Sequence, residues 1–176
     1  MTEFRDRLRF DAERGEYRDG DIRYMMIRPD ALMGMIAELP EDMRPHALEA
    51  FARSIRRAGG RSARSYQASG AADAAALLRV IEQTAPQLGW GRWQLDSGPD
   101  GITLAVDNSP FVAGAGPSLH PVCAPIRGML SAVGEMALGE AVAVAETACA
   151  ATGAACCRFT VSRAAAPPAA AAAPSR

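Results

Sequence analysis

The hydrophobic period changes in this 176-residue chain, and the change falls between Leu88 and Trp90. Ahead of it apolar residues return at helical spacing, and beyond it they alternate. Pro29-Asp30 opens a helix through Ala31, Leu32, Met35 and Ile36 that stops before Pro40. A second helix runs from about Glu41 to Ala58, with Ala47, Leu48, Phe51 and Ile55 on one face and Gly59-Gly60 as its stop. A third covers about Ala72 to Leu88. Strand character appears early only in IRYMMI (22–27). After Leu88 the stretches 90–96 and 102–107 alternate about a Ser97–Gly101 turn, which predicts a hairpin. A Gly/Pro-rich loop (108–118) and a fourth helix (about Pro121–Leu138) precede a second hairpin, 140–148 with 156–161. The expectation is an α+β domain, with N-terminal helices packed on a four-stranded antiparallel meander and one helix inserted.

Both ends read differently from the middle. Residues 1–20 alternate acids and Arg with few apolar anchors and read as a charged, solvated arm. Residues 163–176 are low-complexity Ala and Pro and read as a disordered tail. The folded domain is therefore expected over 21–162.

Composition narrows the chemistry. The chain carries 19 basic and 20 acidic side chains, a formal charge of -1, and every cation is Arg. That balance argues against a nucleic-acid partner, whose phosphates need a basic surplus. Without Lys there is no Walker A phosphate loop and no Schiff-base lysine. No apolar run is long enough to insert into a membrane, and the charged N-terminus is unlike a secretory signal, so a cytoplasmic location is expected.

The four Cys lie in the last third of the chain. Cys149 and Cys157 flank the turn of the last hairpin, Glu146 lies three residues before Cys149, and Cys123 starts the inserted helix. Three thiolates and a carboxylate could make a tetrahedral zinc site; equally, cysteines among small residues could be buried apolar filler. His120, three residues before Cys123, could join that metal, ligate the magnesium of a bound pigment, or hydrogen-bond within its loop. Arg53, Arg56, Arg57, Arg61 and Arg64 could fork onto ligand carboxylates or form a solvated helix face. Met25, Met26, Met33, Met35 and Met43 could line a pocket for a large apolar ligand, or serve as core or dimer interface. Gly114-Ala115-Gly116 imitates the start of a dinucleotide fingerprint. Its third Gly would fall at Leu119, and it follows antiparallel strands, so a Rossmann site is not expected.

Several blocks together resemble the 4-vinyl reductase domain family: GDIRYMMIRPDALM (20–33), LGWGRW (88–93), NSPFV (108–112), PVCAPIRGML (121–130) and ETACAATGAACCRF (146–159). The most specific is the ending E-T-x-C-x-x-x-G-x-x-x-C-x-F, matched by Glu146, Cys149, Gly153, Cys157 and Phe159. The short form is similar to the bacteriochlorophyll 4-vinyl reductase subfamily. The resemblance implies a small-molecule-binding domain that is usually a homodimer. It also implies a structural zinc held by Cys123, Glu146, Cys149 and Cys157, as in aromatic-sensing transcription activators that carry the domain. Cys156 has no counterpart in the pattern. Trp90 or Trp93 is a candidate for a ligand-contacting Trp.

The family name implies reduction of a vinyl group on a chlorophyllide precursor. Hydride transfer needs a nicotinamide, a flavin or a similar cofactor, and no fingerprint for one is present. The expectation is therefore a carrier or accessory protein of bacteriochlorophyll synthesis that holds a magnesium porphyrin. Trp90 and Trp93 would face the macrocycle, Arg53 and Arg57 its propionates, and His120 the magnesium. Other pigment-synthesis enzymes, such as magnesium chelatase, would be its protein partners. The alternatives are a vinyl reductase using a partner-supplied reductant and a sensor of small aromatic ligands.

Overall fold

The computed structural model describes residues 3–68 and 73–164. The Ala/Pro tail expected from 163 onward falls, from residue 165, outside the described residues. Three N-terminal strands, β1 (Arg9–Asp11), β2 (Glu16–Asp19) and β3 (Ile22–Tyr24), form a small antiparallel meander behind a one-turn helix, α1 (Phe4–Arg7). The larger part of the domain begins with α2 (Pro29–Ala37), α3 (Arg44–Ala68), α4 (Ala74–Gln87), β4 (Arg92–Gly98), β5 (Gly101–Asp107) and α5 (Pro110–Ala115). It ends with α6 (Ala124–Leu138), β6 (Val142–Ala148) and β7 (Cys157–Arg163).

The α+β class is as expected, with a four-stranded antiparallel sheet, but its strand order is β4-β5-β7-β6. A plain meander is thus corrected. β7 pairs with β5, placing Val106 opposite Cys157 and Leu104 opposite Phe159, and β6 becomes an edge strand beyond it. Period 2 assigns the faces. Trp93, Ile102, Leu104, Val106, Cys157, Phe159 and Val161 point inward and are all but inaccessible to solvent. The helices α4 and α6 cover that face through residues such as Leu77, Ile81, Ile126, Leu130 and Val133.

Two further expectations are corrected. Gly59-Gly60 does not stop the second helix, because α3 runs on to Ala68. A Cβ on Gly59 would meet the Met129 side chain at 2.7 Å, and one on Gly128 would meet the Ala52 carbonyl oxygen at 2.1 Å. The glycines therefore let α3 and α6 approach closely, a packing demand invisible in local sequence. Residues 1–20 are not a solvated arm either. Phe4 is buried and meets Tyr24 edge-on at 5.3 Å, and the Arg5 N–H donates to Gln87 Oε1 at 3.0 Å. The meander is held by ion pairs more than by a core. Glu16 accepts from Arg18 at 2.7 Å and faces Arg14 and Arg23, while Arg7 pairs with Asp19 at 3.0 Å.

Candidate functional site

The residues after Leu88 position two indoles. Gly89 and Gly91 both have positive φ, and a Cβ on Gly91 would fall 2.5 Å from the Asp107 carbonyl oxygen. Only glycine fits there, so the turn clamps against the end of β5. The Trp93 Nε1–H donates to the Trp90 carbonyl at 3.0 Å, and the rings lie 6.5 Å apart. Trp90 also meets Phe111 edge-on at 5.4 Å.

These three rings line a cavity of about 990 Å³. The N-terminal segment closes one side with Tyr24, Met25, Met26 and Ile27, and α3 supplies Phe51, Ile55, Ala58 and Ala63. Met25 and Met26 are each about three-quarters exposed, at 76% and 75%, because they face the cavity mouth instead of protein. Met129 from α6 also lines it. Of the other methionines singled out in the sequence, Met33 is core, and Met35 and Met43 are exposed away from it.

The second half of the site is a cluster of side chains under the sheet end. Cys123, Glu146, Cys149 and Cys157 bring ligand atoms within 4.8 Å of one another. Cys123 occupies the N-cap of α6, Cys157 begins β7, and Cys149 precedes a 3-10 turn closed by Gly153 at φ +97°. On β6 the inward series runs Val142, Val144, Glu146, so a carboxylate stands where the sheet period calls for an apolar residue. A register shift follows directly, between Glu146 and Ala148. The Cys123 and Cys157 sulfurs lie 3.6 Å apart, the Ser109 hydroxyl is 3.2 Å from Cys123 Sγ, and the Ala150 N–H donates to Cys157 Sγ at 3.4 Å.

The electrostatics of this cluster ask for a cation. Glu146 Oε1 is buried with no hydrogen-bond partner. Burial pushes the Glu146 carboxyl above its ordinary range. The Cys123 thiol is pushed up strongly, first because it donates to Cys157 and then by burial. Cys149 is pushed up to about 11 by burial and by its hydrogen bond to Glu146. Cys157 alone is lowered, to about 7, by the hydrogen bond from Cys123 and the Ala150 N–H. Four acidic groups thus compete in one buried space, and a divalent cation would resolve the competition. Three thiolates and one carboxylate are the donor set of a closed tetrahedral zinc site, whose sulfurs at ~2.3 Å from the metal stand about 3.8 Å apart. The 3.6 Å Cys123–Cys157 separation fits that edge.

The two halves are adjacent in the chain. Ser109, buried beside Cys123, is followed by Pro110 and Phe111, which line the cavity. Asn108, at φ 57°, makes the sharp exit from β5 that allows this. Gly114-Ala115-Gly116 ends α5, and a Cβ on Gly114 would meet the Pro29 carbonyl oxygen at 2.2 Å. Its first glycine serves helix packing against α2.

The expected ligand-contacting set is only partly assembled. Trp90 and Trp93 line the cavity; Arg53, Arg57 and His120 do not. Arg53 is exposed and pairs with Glu49 at 3.8 Å, and Arg57 faces solvent on the same helix. His120 is exposed in its loop, its N–H donating to Ser118 Oγ at 3.2 Å. The member of the arginine cluster that reaches the cavity is Arg61. An α-helix turns 100° per residue, so eight residues carry a side chain about 80° around and ~12 Å along from Arg53. That rotation brings Arg61 to the cavity.

An α+β domain with a large apolar cavity beside a buried three-thiol and carboxylate cluster is the class of protein defined here. The vinyl-4-reductase domain model matches residues 102–163, which hold β5, α6, β6, β7 and all four cluster residues. The chain belongs to the vinyl-4-reductase domain family. A search among curated proteins finds no match. Among solved structures the chain is similar to the phenol-responsive sensory domain of the transcription activator PoxR with phenol. That pair has a TM-score of 0.75 at 19% identity, covering 90% of this chain and 86% of the other. It is also similar to a trafficking protein particle complex subunit 3 from Naegleria fowleri covalently bound to palmitic acid. There the TM-score is 0.55 at 12% identity, with 76% and 93% covered. A vinyl-4-reductase family protein from Methanocaldococcus jannaschii gives 0.50 at 14%, with 81% and 98% covered. At these identities the likeness is one of fold. Among the described residues no helix is long and apolar enough to cross a membrane.

Proposed function

We propose that this chain binds a tetrapyrrole intermediate of bacteriochlorophyll synthesis and acts as its carrier or accessory factor. The cavity carries the reading. At about 990 Å³ it lies at the upper end of the roughly 300–1,000 Å³ range of small-molecule sites, and its walls are Trp, Phe, Met and Ile side chains suited to a flat apolar macrocycle. A single aromatic ring would leave most of it empty, which counts against a sensor of small aromatic ligands. Among the described residues no imidazole lines it, so the macrocycle is held by its faces and edges and not through a His120–magnesium bond.

Zinc is part of the same reading. Cys123, Glu146, Cys149 and Cys157 would hold it, and with all four bound it would supply a structural anchor, without an open coordination position for chemistry. Its place in this chain is to fix the Ser109–Phe111 segment, and through it one wall of the cavity. The reductase alternative differs in what happens to the bound ligand.

Titration of the purified chain with magnesium protoporphyrin tests binding. A shifted Soret band and quenched Trp emission at micromolar pigment are expected; the absence of both changes would refute the reading. Incubation with a divinyl substrate under anaerobic conditions and a low-potential donor tests the alternative. An unchanged mass is expected of a carrier, and a gain of two hydrogens would overturn that assignment.

A further inference from the structure

The cavity lining is almost free of charge. Among the described residues Asp21, Arg23 and Arg61 are its only ionic side chains, and they approach from two elements: the β2–β3 turn with β3, and α3. Their pairing is uneven. Arg23 is the most distant of three guanidinium groups around Glu16, at 3.5 Å, against 2.7 Å for Arg18 and 3.0 Å for Arg14. One carboxylate facing three cations leaves Arg23 largely uncompensated. On α3, Arg53 pairs with Glu49 and Arg56 with Glu135, but Arg61 has no carboxylate partner among the described residues. The cation without a partner is the one that reaches the cavity.

Partner-free guanidinium groups beside an apolar pocket suit a ligand that is apolar in its body and anionic at its edge, because Arg presents paired donors that match a carboxylate. We infer that Arg61 and Arg23 form a carboxylate subsite, so that the cavity takes tetrapyrroles with a free propionate in preference to their esters. This rests on the tetrapyrrole reading above. It places the chain before any reaction that esterifies that carboxylate: the ligand is captured as the acid, and an acyl transfer to an alcohol would release it.

Protoporphyrin and its dimethyl ester, added to the full chain from the same solvent, provide the test through quenching of Trp emission. The acid is expected to bind about tenfold or more tightly than the ester, a ratio in line with charge-assisted hydrogen bonds. R61Q should remove most of that preference by weakening the acid alone, R61K should keep part of it, and R53Q, outside the cavity, should leave it intact. Equal binding of acid and ester by the unaltered chain would overturn the subsite while leaving the cavity reading standing. Equal loss of both ligands in R61Q would also overturn it. Failure of either ligand to bind would instead refute the tetrapyrrole reading itself.

Discussion

Replacing Glu146 by Gln distinguishes a metal centre from a filled apolar pocket by the sign of its effect on stability. In the absence of a cation, Glu146 is a liability: its Oε1 is buried without a partner, and burial penalises the charged form. An unsatisfied buried polar atom costs about 1–3 kcal/mol, more if charged. Gln keeps the shape and removes the charge, so the metal-free variant should be as stable as the parent, or more stable by up to about that amount. With zinc bound the same oxygen is one of four ligands. Losing even an outer-shell partner of a metal ligand weakens affinity about 10–100-fold, and losing a ligand's charge should cost at least that. Each tenfold is about 1.4 kcal/mol, and metal affinity for the folded state adds directly to stability when free metal is in excess. The zinc-loaded variant should therefore be less stable by at least about 1.4–2.7 kcal/mol. Urea unfolding of both proteins, in buffered zinc and again in excess chelator, measures the four values. The variant should lose stability in zinc and not in chelator. A loss of the same size in both would refute the metal assignment, since Glu146 would then be stabilising the fold by itself.

Three further outcomes follow from the packing and charges. Gly128→Ala, whose Cβ would fall 2.1 Å from the Ala52 carbonyl oxygen, should force α3 and α6 apart and lower stability by about 1–3 kcal/mol. Gly34→Ala inside α2, where nothing lies within 4 Å, should raise it by about 0.5–1 kcal/mol; thermal melts compare the two, and a shift of the same sign in both would contradict the packing described. The Glu16 carboxyl is held below its ordinary 4.5, first by the hydrogen bond from Arg18 and then by the charges of Arg14, Arg18 and Arg23. Stability from a depressed carboxyl is present above 4.5 and lost as pH falls through the lowered value, so Tyr17 and Tyr24 ring signals should report loosening of β1–β3 on acidification, and E16Q should abolish the pH dependence. Because no described His lines the cavity, magnesium and metal-free protoporphyrin should bind within about threefold of each other, and H120A should change neither affinity. A tenfold preference for the magnesium form that H120A removes would restore axial ligation.

Where local chemistry decides, the fold is legible from the residues. Pro29 and Pro40 bracket α2, Ser97–Gly101 encloses the β4–β5 turn, and the alternation in 102–107 marks the inward face of β5. Long-range packing is not legible. Gly59-Gly60 has the composition of a helix stop, and only the Met129 side chain against it explains why α3 continues. The insertion of β7 between β5 and β6 depends on α6 carrying the chain across the sheet, which hairpin signals do not encode. The N-terminal meander escapes pattern reasoning because it is built from ion pairs about Glu16, and such reasoning sees only apolar anchors.

The candidate site divides the same way. Cys123, Glu146, Cys149 and Cys157 carry their chemistry in their residue types, and the fold brings all four together. The arginines on α3 cannot be sorted without knowing which way the helix faces: Arg53 and Arg57 point to solvent and Arg61 reaches the cavity.

A crystal structure of the chain grown with protoporphyrin tests the central claim most directly. The macrocycle should lie in the cavity against Trp90 and Phe111, between the 22–27 segment and α3, with a propionate toward Arg61. Density for the pigment on the outer face of the sheet or beside His120, with the cavity empty, would contradict it.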